Sequence, residues 1–330
     1  MQAATEGPRE RPRHPLALAI RASTRSELAV IGLVLFFYVL VSVALAISLA
    51  GHAAAVQMQV TGLGLGLMYV VCIWHSARVM GARRTAAFFV LAGVVTFFAE
   101  YMGSNYDWFF GAYEYTDVLG PRLGGVPVLV IVVWGVILYS AYMLIDWLMG
   151  LGGVQRGTTW LGRIGWSALI ALATGVLLSA WDLMVDPFAV SRVWEDVLGW
   201  TPWWWWSGGS YLPELAVWRG SGGIPVSNFA GWVGVPFFIA FVFTLVFRRP
   251  DRVTGRLVNA VPLLIYGYLY FTFVGGLLVM DWYDPGLGQA ALIGTFTMGP
   301  ILVMGVLKLA KDYWTPAETP ASSEAHAPGP

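Results

Sequence analysis

Apolar stretches of about 18 residues or more recur along this chain, and they constrain its fold more than any other feature. Each is long enough to cross the hydrocarbon core of a bilayer as a helix. Candidate spans lie at about 28–50, 56–80, 85–103, 126–149, 161–182, 229–247, 257–280 and 288–310. Composition agrees: 58% of the 330 residues are hydrophobic and 12% charged, too little charge to cover a soluble surface. The expected fold class is all-α, a polytopic transmembrane helical bundle of about eight spans.

Basic residues fix an orientation for that count. Arg9, Arg11, Arg13, Arg21 and Arg25 precede the first span; Arg78, Arg83 and Arg84 follow the second. Arg156 and Arg163 lie between the fourth and fifth, Arg248, Arg249, Arg252 and Arg256 between the sixth and seventh, and Lys308 and Lys311 close the eighth. With eight spans all of these share one side, and both termini are expected to be cytoplasmic. The first apolar run is too long for a signal peptide and is read as a retained span. Residues 1–27 are expected to form a disordered basic segment, 28–312 a single transmembrane domain and 313–330 a disordered tail. Zero net charge gives no reason to expect a nucleic-acid partner, and the lone Cys72 excludes a disulfide framework or a cysteine-cluster metal site.

Two connections on the acidic side, about 104–125 and 183–228, exceed an ordinary helix-to-helix link. They resemble each other. Each follows a carboxylate near the end of a span (Glu100; Trp181-Asp182), is aromatic and Gly-rich, and closes on Gly-Gly-(Val/Ile)-Pro-Val at Gly124 and at Gly222. An internal hairpin repeat follows, gathered around one cavity, with a fainter third copy at Asp281-Trp-Tyr-Asp-Pro285. The run Trp203–Trp206 is expected to lie on the membrane surface.

The four histidines form no spaced pair, and no P-loop or nucleophile elbow occurs, so redox and nucleotide chemistry are not expected. What remains is carboxyl groups beside aromatics at a membrane boundary. A carboxylic acid withdrawn from water favours its neutral form and can serve as a general acid. Asp186 follows Asp182 by four residues, so a continuing helix places both on one face, where like charges push one to stay protonated. Trp181, Trp108, Tyr113 and Tyr115 could turn ring faces to a developing carbocation, worth about 2 kcal/mol when desolvated. Plainer roles compete: solvated boundary acids, a helix end at Asp186-Pro187, interfacial anchors for the aromatics, and a cap or a water-orienting role for Asn228.

Glu100-Tyr-Met-Gly, Tyr113-Glu-Tyr-Thr116, Gly125-Val-Pro127, Trp181-Asp182, Asp186-Pro187, Gly223-Ile-Pro225 and Asn228…Gly231-Trp232 resemble the pattern of the CruF-like carotenoid biosynthesis proteins. That family includes carotenoid 1,2-hydratases and bacterioruberin 2'',3''-hydratases, and the likeness covers about 95–235. The resemblance implies addition of water across a terminal carbon–carbon double bond of an acyclic carotenoid (lycopene, γ-carotene or bisanhydrobacterioruberin type), leaving a tertiary alcohol. Asp182 or Glu100 would protonate the alkene and Asp186 would take a proton from water. Tyr113, Tyr115, Trp181, Trp108 and Asn228 would line the substrate. The implied partners are a carotenoid held in the bilayer, water as co-substrate and other enzymes of the pathway, with no cofactor and no metal, at the plasma membrane. An end-group cyclase or isomerase, and a non-enzymatic carotenoid or polyprenol carrier, remain alternatives.

Overall fold

A computed structural model describes residues 23–51, 54–149, 159–247 and 257–314. The expected disordered ends fall outside the described residues over 1–22 and 315–330, as do His52, Arg156 and the arginines from Arg248 to Arg256. Among the described residues eight helices are long and apolar enough to cross a membrane: α1 Arg25–Gly51, α2 Ala54–Met80, α3 Ala82–Tyr106, α4 Val128–Met149, α5 Trp160–Val190, α6 Val226–Val246, α7 Val261–Met280 and α8 Pro285–Trp314. The chain is a multi-pass membrane protein.

Hydrophobic pattern decides which helices lie inside. Helix α4 is apolar on all faces and is buried without a break from Trp134 to Trp147. Helices α1, α3 and α8 leave rows of large apolar side chains uncovered, among them Phe36, Val94, Phe98 and Phe296, as lipid-facing walls do. Helix α5 packs most extensively on α6. A Cβ at Gly175 would stand 2.4 Å from the Val233 carbonyl oxygen, so only glycine lets these backbones approach so closely.

Helix α5 does not stop near residue 182 or at Asp186-Pro187. It runs through Pro187 to Val190. Proline has no N–H for the carbonyl four residues back, and here the Tyr211 hydroxyl donates to Leu183 O at 2.9 Å instead. This replacement keeps Asp182 and Asp186 on one helical face.

The two long connections form a cap over one end of the bundle. Strand β1 (Tyr113–Tyr115) in the first pairs antiparallel with β4 (Trp204–Trp206) in the second, with Tyr113 opposite Trp206 and Tyr115 opposite Trp204. Between them come β2 (Arg122–Leu123) and β3 (Val126–Pro127), a tight hairpin whose turn uses Gly124 and Gly125 at positive φ. Gly222 and Gly223 repeat that conformation, and Ile224 bridges Tyr211. Each Gly-Gly turn leads through a proline into a helix, at Val128 and at Val226, so the sequence repeat is also a repeat of local structure.

Two expectations change. The tryptophan run is not spread on the membrane surface: pairing with β1 turns Trp204 and Trp206 inward, and Trp206 is buried. The motif from Asp281 to Pro285 is no third mouth. Asp281 Oδ1 accepts from Gly288 N at 2.8 Å and Asp284 from Gly286 N at 3.0 Å and Ala216 N at 3.2 Å, capping the start of α8 and tying down the second connection.

Candidate active site

Glu100 sits in the last two turns of α3, fully buried. The helix ends at Asp107, and the chain folds back so that β1 passes over it. Gly103 makes room, since a Cβ there would meet the Tyr113 hydroxyl at 2.9 Å. Three donors converge on the Glu100 carboxyl: Tyr113 Oη at 2.5 Å and Tyr115 Oη at 2.6 Å on Oε2, and Trp134 Nε1 at 2.6 Å on Oε1. Burial, with the Glu100 carboxyl beside them, pushes both tyrosine hydroxyls well above the usual range, so they remain neutral donors.

Asp182 and Asp186 form a second carboxyl group pair, both wholly buried on α5. Asn228, three residues into α6, donates its Nδ2 to Asp182 Oδ2 at 2.7 Å and to Asp186 Oδ2 at 2.5 Å. It does not cap α6, whose cap position is Pro225. Asp182 Oδ1 has no donor among the described protein groups, and the shared Asn228 amide holds the two carboxyls together. The Trp204 indole N–H is buried at the cavity and makes no hydrogen bond to the described protein groups.

A cavity of about 120 Å³ opens between these groups, on the order of the apolar cavity of roughly 150 Å³ that holds benzene. Glu100, Tyr113, Tyr115, Asp186 and Asn228 supply most of its polar atoms, with the Tyr268 and Thr272 hydroxyls on α7; rings supply most of the rest. Trp134 and Trp232 stack at 4.0 Å with planes 8° apart, and Trp181 meets Trp232 edge-on at 5.7 Å. The cap roofs it with Trp194, Trp200, Trp203, Trp204 and Trp206. Its apolar lower end reaches Val41, Leu65 and Tyr268. Tyr268 lies twelve residues before the end of α7 at Met280, about 18 Å along the axis. The carboxyl groups thus sit near the cap, and the other end, apolar but for the Tyr268 and Thr272 hydroxyls, reaches toward mid-membrane.

A family model described as carotenoid biosynthesis protein matches residues 56–300. The chain belongs to that family. The match takes in both connections and every lining residue except Val41. No curated protein and no solved structure matches the chain.

In this carotenoid biosynthesis protein, seven of the eight residues singled out from sequence converge: Glu100, Tyr113, Tyr115, Trp181, Asp186 and Asn228 line the cavity, and Asp182 stands directly behind, joined through Asn228. Trp108 does not; it is 56% exposed, at the turn after α3. Three important residues were passed over: Trp134, Trp232 and Tyr211. A signal for the two tryptophans was present. Each follows the second glycine of its Gly-Gly pair by nine residues, 125 to 134 and 223 to 232, so the residues that stack are equivalent positions of the repeat. Among the described residues no group of three or more His, Cys, Asp or Glu is arranged to hold a metal ion.

Proposed function

We propose that the protein hydrates an acyclic end group of a carotenoid. One observation carries the reading: a pair of buried carboxyls, sharing one amide donor, fronts an aromatic cavity whose apolar end reaches into the bilayer. The polyene stays in lipid and its tip rises toward the cap. Asp186 is the member of the pair that reaches the cavity, so it is the residue we assign to the substrate; Asp182 shares its proton from behind, and Asn228 fixes both.

The steps balance. The Asp186 O–H bond breaks and a C–H bond forms at the CH carbon of the terminal double bond, leaving a tertiary carbocation. Ring faces stabilise that charge. Water forms the C–O bond and returns one proton to Asp186, so the net change is addition of one water. The indole N–H groups of Trp181 and Trp204 are buried at the cavity without partners. A buried donor of this kind is suited to hold the attacking water, and Trp204 lines the same cavity as Asp186, which would receive the proton.

The test is expression in a lycopene-producing host with mass analysis of the extracted pigment. Wild type is expected to yield product heavier by the mass of water at each reacted end. Asp186→Asn should abolish it and Asp182→Asn reduce it. Hydrated product from Asp186→Asn, or a wild-type product of unchanged mass, would sink the reading.

A further inference from the structure

The same cavity holds a second constellation that proton transfer does not use. The Glu100 carboxyl already receives three donors, two on Oε2 and one on Oε1, which fill three of the roughly four lone-pair sites of a carboxylate and hold it as an acceptor rather than a proton donor to substrate. Among the described residues no Lys or Arg lines the cavity. Around it stand the faces and edges of Trp134, Trp181 and Trp232, with Phe110 tilted against Trp134 at 6.3 Å and Phe273 edge-on to Trp181 at 5.5 Å. A buried carboxyl needs a compensating charge or a full set of donors. Here the donors are built in, and the described lining supplies no positive partner.

We propose that this part of the cavity is a receptor for a positively charged centre at the tip of an apolar chain, with Glu100 as counter-ion and the three tryptophans as its walls. A cation placed there favours the ionised carboxyl, and Tyr113, Tyr115 and Trp134 already hold the oxygens of that anion. Ring quadrupoles add attraction that grows when water is excluded. The inference rests on the hydration reading only for the reason such a receptor exists, namely to shelter a transient tertiary carbocation. It divides the labour between the carboxyls: the Asp182–Asp186 pair moves the proton, and Glu100 faces the charge.

A stable cation tests this without catalysis. The probes are farnesyltrimethylammonium and its neutral isostere with carbon in place of nitrogen, titrated by tryptophan fluorescence into the full chain in lipid nanodiscs, with empty nanodiscs as baseline. Wild type should bind the ammonium about tenfold more tightly or better. Glu100→Gln should bring the two probes within about twofold, leaving the neutral probe's affinity unchanged, while Asp186→Asn keeps the preference. Equal affinities in wild type, or a preference that survives Glu100→Gln, would overturn the proposal. If Glu100→Gln binds neither probe, Trp232→Leu decides: a reduced preference supports the receptor and an undiminished one refutes it. A wild type that hydrates carotenoid without preferring ammonium defeats the receptor alone; one that prefers ammonium but adds no water defeats the hydration reading alone.

Discussion

Replacing Tyr211 by Phe removes a single hydroxyl, and the structure says what that hydroxyl is for. Pro187 interrupts the hydrogen-bond ladder of α5 and leaves Leu183 O without its helical donor. Tyr211 Oη donates to that oxygen at 2.9 Å, and its ring packs edge-on against Phe229 at 4.7 Å, a contact that phenylalanine keeps. Loss of the bond should therefore cost about 1–2 kcal/mol, the penalty of a poorly solvated acceptor left unmet. On the scale of a chain this size that is a fall in Tm of about 1–3 °C. The lone cysteine, Cys72, is free and fully buried on α2, so a thiol-reactive dye reports the unfolding. Pro187→Ala supplies the missing backbone N–H, and in that background Tyr211→Phe should cost almost nothing. If Tyr211→Phe leaves Tm unchanged, or costs as much in the Pro187→Ala background as in wild type, the hydroxyl is not the substitute donor and the account of how Asp186 is held in register is wrong.

Asn228→Leu keeps volume but takes the shared donor from both carboxyls; it should lower stability by about 1–3 kcal/mol in the same dye assay and remove hydrated product. Tyr113 and Tyr115 should give a pH signature. Their neutral form is favoured in the folded state, so the stability they protect is complete below the ordinary tyrosine range near pH 10 and is lost as pH rises toward their folded values. Wild type should thus lose more Tm between neutral and alkaline pH than the double variant Tyr113→Phe, Tyr115→Phe; equal losses would contradict this.

The eight spans were legible because a bilayer demands length and apolarity, and both are counted directly along a chain. The converging carboxyls were legible because Asp182 and Asp186 stand at helical spacing. What the sequence could not settle was whether that helix continues. A residue before proline ordinarily leaves helical geometry, and the rescue comes from Tyr211, far away in sequence and recognisable only once the cap is folded. The tryptophan run was misplaced for a related reason. Its composition matches a membrane interface, but its direction is set by pairing of Trp204–Trp206 with Tyr113–Tyr115, a contact across nearly the whole of two helices. Trp134 and Trp232 differ from these: they close the two copies of the repeat at a common offset, and that equivalence identifies them as a pair.

The most direct measurement supplies purified protein with lycopene in water enriched in oxygen-18 and follows the pigment by mass spectrometry. The account predicts a tertiary alcohol whose oxygen carries the solvent label, absent with Asp186→Asn. An unlabelled hydroxyl, an isomer of unchanged mass, or pigment bound and returned unaltered would contradict it.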